Sequence, residues 1–259
     1  MMSVVTVNGV QLYYEVVGSG KPIVFTHGAS WNHKQWKQQV EYFSQFYQTI
    51  VWDVRGHGKS TLPEGRVDSE DFSKDLIGLL DHLQIESAAL CGLSLGGHIS
   101  LQTAIRYPKK VSGLILIGTP FTNTFNLYEK LAVPINRWSA CFISMKTLAK
   151  LSGNALSKFN PENKAYILEA VQMIPHNNWI RLWDAITRME SGDDLHSVQC
   201  PTLLLCGEHD SMTMRQQKYM EKHIQNTTLK VVHRAHHATN MDNPQQVNEY
   251  LKHFLERNI

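Results

Sequence analysis

The segment LCGLSLGG (residues 90–97) places one serine, Ser94, between two glycines, Gly92 and Gly96, at alternate positions. It follows a short apolar run and precedes residues with helical spacing, which predicts a buried strand, a sharp turn at the serine and a helix. Side chains at positions 92 and 96 would collide with the backbone in so tight a turn, which explains why both are glycine. The pattern alone is common, because glycine makes up about 7% of average sequences. A hydroxyl lifted onto a strand-to-helix turn at a sheet edge requires an α/β architecture.

Strand-like and helix-like segments alternate along most of the chain. Two β-rich runs, 4–7 and 10–17, are joined by Asn8-Gly9, a dipeptide that favours a type I′ hairpin turn. The later strand-like runs are continuously apolar, which is typical of parallel strands covered on both faces. They span residues 22–28, 47–58, 87–92, 111–120, 201–210 and 227–233. Helical spacing recurs at 69–85, 95–106, 213–223 and 244–257. The sequence therefore predicts the α/β class with a mostly parallel sheet.

The alternation stops at about residue 121. Residues 121–197 have helical patterns and no convincing strand, and the prolines at 134, 161 and 175 divide them into about four helices. We therefore expect a core formed by residues 1–120 and 198–259, with residues 121–197 inserted as a helical cap.

The amino-acid composition limits the classes of molecule that the chain is expected to bind. The 259 residues, 42% of them hydrophobic, suffice for one sizeable core. The net charge is only +2 and no block of like charges occurs, which disfavours nucleic acid and an anionic membrane as partners. No stretch approaches 18 apolar residues and no basic leader precedes an apolar run. We therefore expect no signal peptide, no transmembrane helix and a cytoplasmic location. The sequence does not fix the oligomeric state.

The cysteines, histidines and acidic residues do not have the spacing typical of disulfides or metal sites. The four cysteines have no CxxC spacing, so we expect reduced thiols. No group of His, Cys or Asp has metal-ligand spacing, and GSGKP (18–22) lacks the full phosphate-binding Walker pattern. The sequence predicts neither a metal nor a cofactor.

A serine nucleophile needs a base, and the base needs a carboxylate that orients it. In this type of fold the acid and the histidine follow the serine in that order, each after the C-terminal end of a strand. Glu208 and Asp210 follow the seventh strand-like run, and His233, His236 and His237 follow the eighth. The residues alone leave these carboxylates and histidines as competing candidates.

Six segments in the expected order resemble the α/β-hydrolase superfamily, close to its small esterase and lactonase branch, over essentially the whole chain. They are THGAS (26–30), WDVRGHGKS (52–60), LCGLSLGG (90–97), RYPKKVSGLILIG (106–118), PTLLLCGEHD (201–210) and HHATNMDNP (236–244). RGHGKS and CGLSLGGH also resemble 3-oxoadipate enol-lactonases, but only in the core that every branch shares. The resemblance implies a mostly parallel eight-stranded sheet flanked by helices, with a helical cap inserted after the sixth strand.

The resemblance also implies particular roles. Ser94 would be the nucleophile. The acid of the superfamily is usually the aspartate that ends a G-x-x-D turn, which makes Asp210 the acid and Glu208 an ordinary loop residue. The oxyanion hole would consist of two backbone amides, those of Leu95 after the nucleophile and of Ala29 in the HG-x pattern after strand 3.

The resemblance implies which histidine is the base through the spacing to the residues that follow it. In the superfamily it is followed by an acidic residue at the fifth position and by proline at the seventh. Asp242 and Pro244 give that spacing to His237. The preceding residue is normally glycine, and here it is His236, which remains the competing candidate for the base.

Other polar residues near these motifs are expected to be structural. Asp53, Arg55 and His57 belong to a loop that braces the core in this superfamily. We expect His27 to order the oxyanion loop by hydrogen bonding. His98 lies one helical turn beyond Ser94 and is expected to be buried with its hydrogen bonds satisfied.

These residues predict a serine hydrolase that cleaves a small-molecule carboxylic ester or lactone through an acyl-enzyme. Because residue 94 is not aspartate, the resemblance excludes the dehalogenase and epoxide-hydrolase branches. A carbon–carbon bond hydrolase with the same triad is an alternative, although its oxyanion loop is usually richer in glycine than HGASWN. A slow-turnover small-molecule sensor on the same fold is another alternative.

The cap is rich in aromatic residues, which suggests a small apolar acyl or alcohol group in the substrate. We expect most of these side chains to pack the cap onto the core instead of lining the pocket. They are Phe121, Phe125, Trp138, Phe142, Trp179 and Trp183.

Overall fold

A computed structural model describes residues 2–259. Its eight strands are β1 (Met2–Val7), β2 (Val10–Val17), β3 (Pro22–Thr26), β4 (Gln48–Trp52), β5 (Ala88–Leu93), β6 (Val111–Ile117), β7 (Thr202–Gly207) and β8 (Thr227–Val232). They form one sheet in the order β1-β2-β4-β3-β5-β6-β7-β8. The β1–β2 and β2–β4 pairs are antiparallel, and every other pair is parallel. The predicted α/β class and mostly parallel sheet are confirmed.

The helices alternate with the strands outside one long insertion. They are α1 (Lys37–Phe43), α2 (Asp71–His82), α3 (Leu95–Arg106), α4 (Leu127–Ala140), α5 (Met145–Ala155), α6 (Asn163–Gln172), α7 (His176–Ile186), α8 (Met214–His223), α9 (Thr239–Asp242) and α10 (Pro244–Asn258). The short helices α1 and α9 were not predicted from the sequence.

The first hairpin follows from its turn residues. Asn8 and Gly9 both have positive φ, at 48° and 74°, as a type I′ turn requires. Asparagine and glycine tolerate this left-handed region better than other residues, so the dipeptide fixes the register in which β1 pairs with β2.

The central parallel strands are apolar because helices cover both faces of the sheet, whereas the edge strand β8, expected to be continuously apolar, is mostly exposed. All residues of β5 and β7 are buried. The carboxyl ends of β3 to β8 meet at one edge of the sheet, where parallel α/β folds place their functional loops. The loops that begin at His27, Ser94, Glu208 and His233 therefore converge there.

Four helices, α4 to α7, lie between β6 and β7, and an antiparallel bridge between Thr122 and Glu190 joins the two ends of this insertion. The expectation that Pro134 separates two helices is wrong, because it lies inside α4. Proline there removes the hydrogen bond to the carbonyl of Lys130. Lys130 and Pro134 are both exposed, so water can satisfy that carbonyl. The exact division of the chain into core and cap remains a prediction.

The loop after β4 braces the core through charged groups. Asp53 accepts hydrogen bonds from the backbone N–H of His33 at 2.7 Å and of Lys59 at 2.8 Å. Arg55 donates to both carboxylate oxygens of Asp75, at 2.6 and 2.7 Å. These contacts tie the loop to α2 and to the turn before α1, in agreement with the structural role expected for Asp53 and Arg55.

None of the helices in the described chain has the length and apolar character needed to cross a membrane. The four cysteines, Cys91, Cys141, Cys200 and Cys206, are all free thiols.

Candidate active site

Ser94 occupies a strained turn between β5 and α3. Its φ is +53° and its ψ is −114°, a conformation that costs a residue with a side chain about 1–3 kcal/mol. Its backbone N–H donates to the carbonyl of Ile117 at the end of β6, at 2.9 Å. No hydrogen bond to its hydroxyl is formed within residues 2–259. The sheet thus holds Ser94 at its edge with a side-chain oxygen available to a ligand.

The two flanking glycines permit this turn. A Cβ at Gly92 would lie 2.2 Å from the backbone of Gly96, and a Cβ at Gly96 would lie 2.0 Å from the carbonyl oxygen of Thr26. Both distances are far inside van der Waals contact. The collision expected from the sequence is therefore real, and at Gly96 the obstacle is the end of β3.

Asp210 and His237 form a buried pair. Asp210 accepts a hydrogen bond from Nδ1 of His237 at 2.8 Å and another from the Thr213 hydroxyl at 2.7 Å. Burial alone would raise the pKa of Asp210, but the hydrogen bonds and charge interaction with His237, together with Thr213, lower it below its usual value. The ionised carboxylate only accepts, so Nδ1 of His237 carries a proton and Nε2 is free to take one.

Glu208 and His236, the competing candidates for the acid and the base, have different surroundings. Glu208 is exposed, accepts from the backbone N–H of Arg234 at 3.1 Å and lies 3.6 Å from Nδ1 of His233. The backbone N–H of His236 donates to Asp242 at 2.8 Å. Burial lowers the pKa of the His236 ring, whose Nδ1 has no hydrogen-bond partner within residues 2–259. Only His237 among the histidines of this loop contacts Asp210 in the described chain.

His27 orders the loop after β3. Its Nδ1 donates to the carbonyl of Gly28 at 2.8 Å, and its Nε2 accepts from the backbone N–H of Val54 at 3.0 Å. Complete burial lowers the pKa of His27 to about 3, so the ring stays neutral and keeps both hydrogen bonds. Ser30 in the same loop has a φ of +63°. The proposed oxyanion donor Ala29 therefore lies in a tightly constrained turn.

A buried amide network connects this loop to the histidine loop. The backbone N–H of Gly28, next to Ala29, donates to Oε1 of Gln35 at 2.8 Å. Nε2 of Gln35 donates to Oδ1 of Asn240 at 3.1 Å, and Nδ2 of Asn240 donates to Gln39 at 3.0 Å. Sequence analysis missed these residues. Gln35 and Asn240 are 205 positions apart. Gln35 belongs to none of the six segments, and Asn240 lies within HHATNMDNP at a position to which no role was given.

One cavity of about 560 Å³ brings the predicted site residues together. Ser94, Leu95, Ala29 and His237 all line it, while Asp210 lies behind His237. Leu95 is the first residue of α3, where a backbone N–H has no helical partner. The cavity thus combines a hydroxyl, an imidazole and free backbone donors.

The cap closes the other side of the cavity with mostly apolar side chains. The lining residues from the insertion include Tyr128, Ala132, Val133, Leu148, Leu156, Trp179, Trp183, Ile186 and Met189. The cap aromatics differ in role. Trp179 and Trp183 line the cavity, Phe121 and Phe125 pack with Tyr219, and Trp138 and Phe142 are exposed and contact each other.

His98 lines the cavity but is held as a neutral group. It is 2% exposed, and its Nε2 lies 3.0 Å from the Ser191 hydroxyl. Burial lowers its pKa to about 3. This is the buried, satisfied histidine that the sequence led us to expect. Within residues 2–259 no three His, Cys, Asp or Glu side chains are grouped so as to hold a metal ion.

The sheet order, the insertion after β6 and the strained serine define an α/β hydrolase. The family described as "Serine aminopeptidase, S33" matches residues 20–244, and the chain belongs to this family.

Similar proteins cover nearly the whole chain. A 3-oxoadipate enol-lactonase from Acinetobacter baylyi is 28% identical over 97% of this chain and 96% of its own length. An (E)-2-((N-methylformamido)methylene)succinate hydrolase from the same organism is 26% identical over 94% of each chain. A thermophilic esterase from Thermogutta terrifontis has a solved structure that aligns with a TM-score of 0.89, at 25% identity, over 99% of this chain and 98% of its own. The chain is a hydrolase of this superfamily.

The close backbone contact at Gly96 predicts that alanine has opposite effects on the free energy of unfolding at two buried glycines. Gly96→Ala forces its Cβ against the backbone of Thr26, so we expect a loss of about 2 kcal/mol or more in the free energy of unfolding. Gly153→Ala in α5 meets only ordinary contacts at 3.5 Å and beyond, so helix propensity favours it by up to about 1 kcal/mol. Urea denaturation of both variants tests this, and equal effects would contradict the proposed cause.

The amide network predicts a stability cost for Gln35→Leu. Leucine leaves the N–H of Gly28 and Oδ1 of Asn240 buried without partners, which typically costs about 1–3 kcal/mol for each group. Gln38→Leu, on the exposed side of α1, is the control and should stay within about 0.5 kcal/mol of the parent. Similar midpoints for the two variants in the same denaturation assay would count against the network.

Proposed function

We propose that this hydrolase cleaves a carboxylic ester or lactone through an acyl-enzyme, with Ser94 as nucleophile, His237 as base and Asp210 as the acid that orients it. The observation that carries the proposal is the 2.8 Å contact between Asp210 and Nδ1 of His237, beside a cavity that Ser94 and His237 both line. The backbone amides of Ala29 and Leu95 are the proposed oxyanion donors. Residues 121–197 act as the cap over this cavity.

In the first half of the reaction, Oγ of Ser94 attacks the carbonyl carbon while Nε2 of His237 accepts the serine proton. The negative charge of Asp210 stabilises the imidazolium that forms. The carbonyl oxygen becomes an oxyanion that accepts hydrogen bonds from the two amides, and one such donor typically contributes a factor of about 10²–10³ in rate. The intermediate collapses when the C–O bond to the alkoxide breaks and His237 gives it the proton.

In the second half, water attacks the acyl carbon as His237 removes its proton, and the returning proton regenerates the Ser94 hydroxyl. A lactone follows the same steps, except that the alkoxide stays tethered to the acyl group. The enol-lactonase and the esterase among the similar proteins support ester and lactone substrates. The apolar walls favour a small apolar group on either side of the scissile bond.

A hydrolysis panel tests the proposal. We expect many turnovers on at least one substrate among p-nitrophenyl esters of increasing chain length and several lactones. A fluorophosphonate should label the chain once, at Ser94, and Ser94→Ala should lose both turnover and labelling. A single slow turnover would instead indicate a sensor, and undiminished labelling of Ser94→Ala would reject this nucleophile.

Paired substitutions test the other two roles. Asp210→Asn should lose most of kcat, because an amide does not balance the charge of the imidazolium, while the exposed Glu208→Gln should leave kcat nearly unchanged. His237→Ala should lower kcat by several orders of magnitude and His236→Ala by less than about tenfold. Each variant is assayed on the same ester, well below its own unfolding temperature. The reverse ranking within either pair would reassign that role.

A further inference from the structure

The charges around the cavity are unevenly distributed. None of its lining residues in the described chain is lysine or arginine, and its one carboxylate side chain is Glu129 of the cap. The two histidines of the lining are His98 and His237. His98 stays neutral at physiological pH because it is buried against Ser191. His237 is the proposed base. A bound anion therefore meets no lysine or arginine in the lining.

Two arginines adjacent in sequence to cavity-lining residues of the insertion are engaged elsewhere. Nε of Arg137 donates to the Thr187 hydroxyl at 2.6 Å and lies 3.9 Å from Asp184. The guanidinium of Arg188 donates to Asp184 at 2.7 Å. These arginines support α4 and α7 from outside the cavity, and neither belongs to its lining.

Glu129 is held in place. Its Oε2 accepts from the backbone N–H of Phe125 at 2.7 Å, and its Oε1 accepts from Nδ2 of Asn126 at 2.8 Å. The backbone N–H of Glu129 in turn donates to Oδ1 of Asn126, which caps α4. The carboxylate is therefore fixed at the cavity wall by the same bonds that start the helix.

We propose that this cavity selects uncharged esters and lactones and excludes substrates that bring a carboxylate into it, with Glu129 as the specificity-determining residue. This inference rests on the proposed function, because it concerns the substrate of Ser94.

Two physical effects act in the same direction. A carboxylate loses its hydration when it enters a mostly apolar cavity, and no lysine or arginine of the lining compensates for that loss. The carboxylate of Glu129 adds like-charge repulsion across a partly desolvated space. An uncharged acyl chain meets neither cost and gains from contact with Val133, Leu148 and Trp183.

Three matched esters isolate the effect of a charge on the acyl chain of the substrate. We compare the p-nitrophenyl esters of valeric acid, of glutaric acid and of monomethyl glutarate. The first two have the same carbon count and differ by a terminal methyl against a carboxylate, and the third restores neutrality while remaining polar. We expect kcat/KM for the valerate to exceed that for the glutarate by about 100-fold or more. The methyl-capped ester should fall within about tenfold of the valerate.

Two substitutions test the cause. Glu129→Gln removes the charge and keeps one of the two oxygens that accept hydrogen bonds from Phe125 and Asn126, so the ratio of kcat/KM for the valerate to kcat/KM for the glutarate should fall about three- to tenfold. Val133→Lys places a cation on the cavity wall and should further reduce the ratio of kcat/KM for the valerate to kcat/KM for the glutarate. Glu162→Gln, an exposed cap residue outside the lining, is the control and should leave the ratio unchanged.

The outcomes separate the two proposals. Ser94-dependent hydrolysis of the glutarate as fast as the valerate would overturn the selectivity and leave the proposed function intact. An unchanged ratio in Glu129→Gln would overturn the role of that residue. Failure to hydrolyse any of these esters, or any lactone of the panel, would reject the proposed function, and the selectivity with it.

Discussion

The approach of α3 to the end of β3 determines the geometry of the whole site. Gly96 lies so close to the carbonyl of Thr26 that a single methyl group does not fit. This contact places the start of α3, and with it Ser94 and Leu95, directly beside the loop that contains Ala29. A hydroxyl and two backbone amides therefore come from two neighbouring parallel strands. The turn at Ser94 depends on glycine because a Cβ at position 96 would meet backbone atoms, and no choice of rotamer relieves that contact.

Much of this arrangement was predictable because it follows from local patterns. Continuous apolar runs identified the parallel strands, and Gly92, Ser94 and Gly96 identified the turn between β5 and α3. Long-range contacts were not predictable in the same way. Nothing in the sequence near Gln35 indicates that it bonds Asn240, since paired amides have no required spacing along the chain. The division of the cap at Pro134 was wrong because an exposed helix turn can lose one hydrogen bond to water.

The assignment of the histidine shows how the two kinds of information combine. Spacing to Asp242 and Pro244 favoured His237 over His236, although both stand side by side after β8. The structure adds that, of these two rings, that of His237 contacts Asp210, while the backbone N–H of His236 donates to Asp242. Asp242 thus orients the loop, and Asp210 orients the ring of His237. Its own pKa is raised to about 6, because burial opposes ionisation more than the hydrogen bonds from His236 and Asn163 favour it.

The core and the cap contribute different physics to one cavity. On the core side, polar groups are buried in pairs, as with Asp210 and His237 or Gln35 and Asn240, so their positions are fixed before any ligand arrives. On the cap side, the walls are mostly apolar side chains on α4, α5 and α7, together with a few uncharged polar groups such as Asn136 and Ser152 and one carboxylate. Preorganised polar groups stabilise charge that develops during a reaction, whereas apolar walls discriminate by size and by desolvation. In the proposed reaction, the loops at the sheet edge therefore supply the chemistry, and the helices of the insertion select the substrate.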